Sequence, residues 1–469
     1  MFMFDGEEPQ VRRIKAEGRD GMWFSVRLKK GETYRFALVG AVCSTQDFKD
    51  PVNESKRLAT FAYKSSIDYL LGQHHAAWEE LWKGDVIIEG DLESQLDIRH
   101  ALYQLYSITR DNCPVGIAPM GLSSSEGYNG HYFWDTELWM YPPILVMNPE
   151  AGRSLMDYRA NCLPQARQNA LNHGYKGAQY PWEADTSGEE CTPVWALTGT
   201  YEHHITADVG IAMWQYYCVT RDREWLLEQG WPVLKAVAEF WVSRVHRNED
   251  GSYSIINVVG ADEYAENVDD NAFTNGAAKR VLRDVTKAAE VLGKPVDPQW
   301  MEISDNLVFT YDSDGVTMEY TGYDGRLIKQ TDVNMLAYPL GVVTDPEQTL
   351  RDINYYFDRI DPNGHEQCHH CCAACPSRRS RDRFQGVQEE LHRQAQASFR
   401  SAFGECKQFP RVIRNGTGRH PPERHLRICR CGDHRRRHNP APDTPAFTLE
   451  IADSDWGGCR QADIQSGKP

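Results

Sequence analysis

From about residue 55 to about residue 360 the chain repeats one pattern, a helical segment followed by a long loop dense in Gly, Trp, Asp and Glu. Asn148-Pro149-Glu150 has the form of an N-cap, a proline at the first helical position and an acidic first turn, leading into Leu155, Met156 and Tyr158. Asp222 opens another segment, in which Leu234, Val237, Ala238, Trp241 and Val245 recur at helical spacing. Thr274 is placed to cap a helix running to Leu292, with Gly293 as its stop. Asp345-Pro346 starts a further helix with Leu350, Ile353 and Phe357 on one face. Few strands intervene, which excludes a βαβ architecture. Repeated helical hairpins predict an α/α toroid whose loops build a site at one end.

The flanks differ from this body. Residues 22–46 alternate in the manner of strands, with Gly31-Glu32 as a turn. Two or three strands cannot bury themselves, so they are expected to be the end of a β domain. No basic segment followed by an apolar run opens the chain, and no stretch is apolar enough to span a membrane. The other flank begins after Gly364. Residues 365–469 hold 16 Arg and 2 Lys against 12 Asp and Glu, net +6, whereas residues 1–364 carry 33 basic and 55 acidic groups, net −22. All 22 Tyr and 12 of 13 Trp precede the break, while eight of 13 Cys follow it. The folded, aromatic-rich material is therefore expected before residue 365.

Four loops carry chemistry. They are Gly127–Glu137, with His131, Trp134 and Asp135; Tyr180–Asp185, with Trp182 and Glu183; Val259–Asn275, with Asp262 and Glu263; and Lys329–Val333, with Gln330. Aromatic faces beside carboxylates, amides and a lysine suit a sugar, whose C–H faces stack and whose hydroxyls need paired donors and acceptors. Glycoside cleavage needs one carboxylic acid for the leaving oxygen and a second group on the nucleophile's side. The same residues read equally as solvated acidic loops and core tryptophans.

The motifs Gly130-His-Tyr-Phe-Trp-Asp-Thr-Glu137, Tyr180-Pro-Trp-Glu183, His203-His-Ile-Thr-Ala-Asp208, Gly260-Ala-Asp-Glu-Tyr264 and Lys329-Gln-Thr-Asp-Val333, in this order, resemble glycoside hydrolase family 65 over roughly residues 75–364. That family holds maltose, trehalose and kojibiose phosphorylases together with α-glucoside hydrolases. The wording around Thr192-Pro193-Val194-Trp195 and Gly260–Glu263 is nearer the hydrolase branch. The resemblance implies a mainly α fold, an (α/α)6 barrel incomplete at its C-terminal end. The expected domains are 1–50, strands of a truncated β-sandwich; 51–94, a helical linker; 95–364, the partial catalytic barrel; and 365–469, an aberrant Cys-, Arg- and His-rich tail.

The resemblance also implies roles. Glu263 is the general acid of an inverting cleavage at an α-glucosidic bond. Trp134 and Asp135 hold the non-reducing glucose, Trp182 and Glu183 line the sugar site, and Lys329 and Gln330 contact glucose hydroxyls. His203 and His204 are expected to be scaffolding. A carboxylate such as Asp262 is expected to press on Glu263 as a like charge. No metal or organic cofactor is required, with inorganic phosphate as co-substrate if the enzyme is a phosphorylase. The partner is a small glucoside, not nucleic acid or a membrane; a homodimer is the open option for assembly, and the compartment, cytoplasmic or periplasmic, stays open. The alternatives are a disaccharide phosphorylase and a non-catalytic sugar-binding remnant.

No residue after Gly364 matches the family pattern, whose second catalytic group lies downstream of Lys329–Val333. Cys368, Cys371, Cys372 and Cys375, and Cys429, Cys431, His434 and His438, have ligand-like spacing. A reading-frame change after codon 364 accounts better for the loss of Tyr and aliphatic residues. Acidic residues interspersed among the Arg, with no aromatic platform, argue against a nucleic-acid arm. On this reading the chain has little glucosidase activity and tends to aggregate. Cys43, Cys113, Cys162, Cys191 and Cys218 lack framework spacing and are expected as thiols.

Overall fold

The computed structural model describes residues 1–16, 19–113, 115–122 and 127–361, and the backbone of 426–430. The readings of the tail as a metal appendage or a frame change fall outside these residues. The chain forms two compact units, Met1–Gly84 and Asp85–Pro469.

In the first unit β1 (Phe2–Asp5), β2 (Gln10–Ala16), β3 (Arg19–Ser25) and β4 (Arg35–Leu38) form two antiparallel ladders. β2 pairs with β3, and β1 pairs with β4 with Phe4 opposite Phe36. The ladders meet through aromatic rings. Phe24 lies 5.4 Å from Phe2, 5.5 Å from Phe4 and 5.0 Å from Phe36, all edge-on. The turn at Lys29–Glu32 falls where the alternation placed it, with the Glu32 N–H donating to the Lys29 carbonyl at 3.0 Å. Two helices follow, α1 (Pro51–Lys64), capped by Asp50, and α2 (Ile67–Leu81), capped by Ser66.

The second unit is helical. After β5 (Gly84–Ile88) come α3 (Leu92–Ile108), α4 (Tyr141–Met147), α5 (Pro149–Asn161), α6 (Leu163–Asn172), α7 (Thr198–Tyr201), α8 (His204–Thr220), α9 (Arg223–Trp225) and α10 (Trp231–Arg244). A two-stranded hairpin, β6 (His246–Arg247) with β7 (Tyr253–Ser254), precedes α11 (Ala272–Leu292), α12 (Pro298–Asn306) and α13 (Pro346–Phe357). A strand β8 (Leu426–Arg430) pairs with β5. The caps follow the sequence at Asn148, Asp345 and Gly293. At α11 the cap is Asn271 rather than Thr274, because the Asn271 side chain accepts from both the backbone N–H and the hydroxyl of Thr274.

α8 is buried along nearly its whole length and packs against α4, α5, α10 and α11, so it is the centre of the unit. Its apolar character all round fits this position. No helix among the described residues is long and apolar enough to cross a membrane. The five described cysteines are all unpaired.

Gly177 shows how closely a loop is pressed on this frame. Its φ is +76°, and a Cβ there would lie 2.2 Å from the Ala236 carbonyl oxygen and 2.4 Å from the Phe240 nitrogen of α10. The next residue, Ala178, donates its N–H to that same carbonyl at 3.0 Å. Gly177→Ala is therefore expected to lower stability by about 1–3 kcal/mol, read as a reduced denaturant midpoint with an unchanged slope.

Candidate active site

The four chemistry-bearing loops are stitched to one another. Tyr132 and Ala184 exchange two backbone hydrogen bonds of 2.9 Å, which lock the first loop to the second. His131 Nδ1 lies 2.6 Å from Glu183 Oε1, and the Phe133 and Trp182 rings cross edge-on at 5.0 Å. Behind the first loop, Arg159 of α5 grips Glu137 with Nε at 2.7 Å and Nη2 at 3.0 Å, both side chains buried. In the second loop Glu190 accepts the backbone N–H groups of Trp182 and Thr192, each at 3.1 Å, so it anchors the turn.

The third and fourth loops meet through Asp262. Its Oδ1 accepts the backbone N–H groups of Lys329 at 2.8 Å and Gln330 at 3.3 Å. Its own N–H donates to Asp332 Oδ1 at 2.6 Å, and Asn271 Nδ2 donates to Asp332 Oδ2 at 2.6 Å. Asp262 thus turns its carboxylate onto the backbone of the fourth loop, and the charge facing Glu263 is an opposite one. Lys329 Nζ lies 2.8 Å from Glu263 Oε1, with the Glu263 side chain 32% exposed. Asp262 is taken up by the fourth loop, and the Lys329 ammonium pairs with Glu263.

The first and third loops are joined through the start of α8. The Trp134 ring lies edge-on to His204 at 5.0 Å, and His204 to Phe273 at 4.8 Å. The Val259 N–H donates to the Tyr201 carbonyl at 3.2 Å. Between these points sit two carboxylates around one imidazole. His204 Nδ1 lies 2.7 Å from Asp208 Oδ2, and its Nε2 lies 2.8 Å from Glu202 Oε1. Burial opposes a charge on His204, but the two carboxylates overcome it and raise its pKa to about 10. Burial raises the Glu202 carboxyl to about 7. His203 instead accepts from Arg244 Nε at 3.0 Å and is driven down to about 3 by burial and that guanidinium. Both histidines support the scaffold.

Sequence reasoning missed Glu202, Glu319 and Asp332. Glu319 is buried beside Asp262 and Asp332. Burial and these two carboxylates raise it well above the usual range. Burial and Asp262 push Asp332 up to about 8. The signal for Asp332 was inside a motif already quoted; Glu319-Tyr320 carries no spacing that marks it. Of the expected site residues, Trp134, Glu183 and Gln330 are buried, while Asp135, Trp182, Glu263 and Lys329 are partly exposed. Polar atoms buried without a hydrogen-bond partner among the described residues include Glu202 Oε2, Asp208 Oδ1, both Glu319 oxygens and Gln330 Oε1.

These shifts fix a pH dependence. A carboxyl raised in the folded state stabilises below its unfolded value and loses that contribution as pH rises through its folded one; the raised His204 has the same sign. Between about pH 7 and pH 9 the folded chain holds extra protons on Asp332 and His204, so its melting temperature is expected to fall across that window. Each extra proton contributes about 1.4 kcal/mol per pH unit, and Asp332→Asn is expected to flatten the slope in thermal melts.

Residues 99–326 match the glycosyl hydrolase family 65 central catalytic domain. A kojibiose hydrolase of Flavobacterium johnsoniae is 49% identical over 363 residues, which covers 76% of this chain and 53% of that protein. A protein-glucosylgalactosylhydroxylysine glucosidase of Dictyostelium discoideum is 37% identical over 344 residues, covering 71% of this chain and 48% of that protein. The chain spans about half the length of these curated relatives. A solved structure provisionally named a kojibiose phosphorylase, from the human microbiome, superposes with a TM-score of 0.59 at 23% identity, over 70% of this chain and 49% of that one. That likeness concerns the fold, and with the helix packing above it fits an α-helical barrel. Through residues 99–326 the chain belongs to glycoside hydrolase family 65.

Proposed function

We propose that this chain hydrolyses α-glucosides with inversion at the anomeric carbon, with Glu263 as the general acid and kojibiose as the first substrate to try. Trp134 and Asp135 hold the glucosyl residue, Trp182 and Glu183 line the site, and Lys329 and Gln330 engage its hydroxyls. The observation that carries this reading is the Glu263–Lys329 pair at the junction of the loops, beside buried polar atoms that lack partners. A sugar supplies hydroxyls that donate and accept at once. In this reading Lys329 passes from Glu263 to a sugar hydroxyl when substrate binds, which frees the Glu263 carboxyl to protonate the leaving oxygen. The identity to a kojibiose hydrolase supports the choice of water over phosphate as nucleophile. The group that activates that water is expected downstream of Lys329–Val333, where no residue after Gly364 matches the family pattern, so cleavage by this chain is expected to be weak. No metal or organic cofactor enters this chemistry.

The test is to incubate the full chain with kojibiose, with and without inorganic phosphate. Glucose release that ignores phosphate, with β-glucose as the first product of the cleaved residue, is the expected result. Phosphate-dependent release of glucose-1-phosphate makes it a phosphorylase instead. Binding of kojibiose without turnover leaves a sugar-binding role and overturns the enzymatic one.

A further inference from the structure

The turn that carries Glu263 has an exposed tip. Ala265 donates its N–H to the Asp262 carbonyl at 2.8 Å, so Glu263 and Tyr264 are the two central residues of a hydrogen-bonded turn. Asp262, before the tip, is buried, whereas Glu263 is partly exposed and Tyr264 is half exposed. A proton donor must be held within about half an ångström of its working position, and an exposed turn does not do that unaided.

The tip is tethered from a distant part of the chain. The Tyr264 hydroxyl donates to Asp361 Oδ2 at 3.2 Å, across 97 residues. In the same stretch the Ile328 N–H donates to the Arg359 carbonyl and the Asp361 N–H donates to the Ile328 carbonyl, both at 2.9 Å. Tyr264 directly follows Glu263, and Ile328 directly precedes Lys329. Residues 359–361 therefore hold a sequence neighbour of each member of the Glu263–Lys329 pair. Asp262 holds the pair from its other side, through the Lys329 N–H. The tether is itself anchored. It follows α13, where Tyr356 is buried and donates its hydroxyl to the Thr317 carbonyl at 2.9 Å. The Arg359 N–H donates to the Tyr356 carbonyl at 2.9 Å, and the Arg359 guanidinium lies 3.6 Å from the centre of the Tyr355 ring.

We propose that residues 359–361 brace the acid, with Tyr264 and Asp361 as positioning residues that keep the Glu263 carboxyl aligned with the leaving oxygen. The inference rests on the hydrolytic reading above and adds to it two residues to which the motifs gave no role. Tyr264 and Asp361 act through Glu263 and do not themselves meet the sugar. Losing the bond between them frees the tip of the turn but leaves the main-chain bonds of Ile328 in place. The fold then survives while the alignment does not.

The test is steady-state kinetics of the full chain on kojibiose and on α-glucosyl fluoride. Tyr264→Phe keeps the ring and removes the hydroxyl, and it is expected to lower kcat on kojibiose on the order of 10-fold with KM within about 3-fold of the parent. On the fluoride, whose departure needs less protonation, the loss is expected to be about 3-fold or less. Asp361→Ala is expected to behave like Tyr264→Phe, and the double variant to be no worse than either single one. Asp361→Asn keeps an oxygen that accepts from the hydroxyl, and its kcat is expected within about 3-fold of the parent. Thermal melts close to the parent's show that each variant is folded. A folded Tyr264→Phe or Asp361→Ala with the parent's kcat on kojibiose overturns the proposal. So do equal losses on the two substrates, or losses that add in the double variant. Each of these outcomes spares the hydrolytic reading, because the parent still cleaves kojibiose. A parent chain that does not cleave kojibiose overturns that reading and the proposal with it.

Discussion

Glu263→Gln is expected to reduce cleavage of kojibiose by about 100- to 10,000-fold while kojibiose binding stays within a few-fold of the parent. The range is what a well-placed general acid contributes to a barrier. The amide keeps the volume of the side chain and a hydrogen bond, so the site around it should persist. It cannot deliver a proton to the leaving sugar. The sharper comparison is with α-glucosyl fluoride, whose leaving group needs less protonation. The same variant should lose far less on the fluoride than on the disaccharide, and steady-state kinetics on both measure the ratio. Equal losses on the two substrates would assign Glu263 another role. Lys329 provides an internal control, because its ammonium is 2.8 Å from Glu263 in the unliganded chain. The amide variant removes that salt bridge without removing the lysine from the sugar.

Glu137→Ala is expected to destabilise the second unit by about 3–5 kcal/mol. The carboxylate is fully buried and makes a two-pronged pair with Arg159, which is itself 1% exposed. Removing the acid leaves a guanidinium buried in the core with no counter-charge. The effect should also reach the site, since Arg159 Nη2 holds the Phe133 carbonyl at 3.4 Å, one residue before Trp134. Urea denaturation gives the loss of stability, and calorimetry with glucose gives the loss of binding. Replacing both partners, Glu137→Leu with Arg159→Met, should recover most of the stability, because no charge is then stranded. A single substitution that costs less than about 1 kcal/mol would mean that water reaches the pair.

The helical body was legible because its signals are local. Asn148 and Asp345 sit directly before prolines, and such caps act within one turn of the chain. Thr274 misled for an equally local reason: it is the residue being capped, three positions past the true cap at Asn271. The strands Phe2–Asp5 and Gln10–Ala16 went unread because the first has only four residues and the second is mostly polar, and Phe2 and Phe4 gain meaning from Phe24 and Phe36 far along the chain. In the site, the loops and their motifs could be named in advance, but not their wiring. The role of Asp262 depends on backbone N–H groups 67 and 68 residues away. Glu202 stands beside a quoted motif and was passed over, because nothing in a sequence marks a carboxylate oxygen that lacks a partner.

The mutual stitching of the loops has a consequence for how such a site can change. The register between the first two loops is written in the main chain of Tyr132 and Ala184, and that of the last two in backbone N–H groups gathered by Asp262. Side chains at positions such as His131, Phe133, Trp182 and Gln330 are then free to be exchanged without shifting the frame that presents them. A laboratory selection for new sugar preference should accumulate its substitutions at those positions and leave Ala184 and Asp262 untouched.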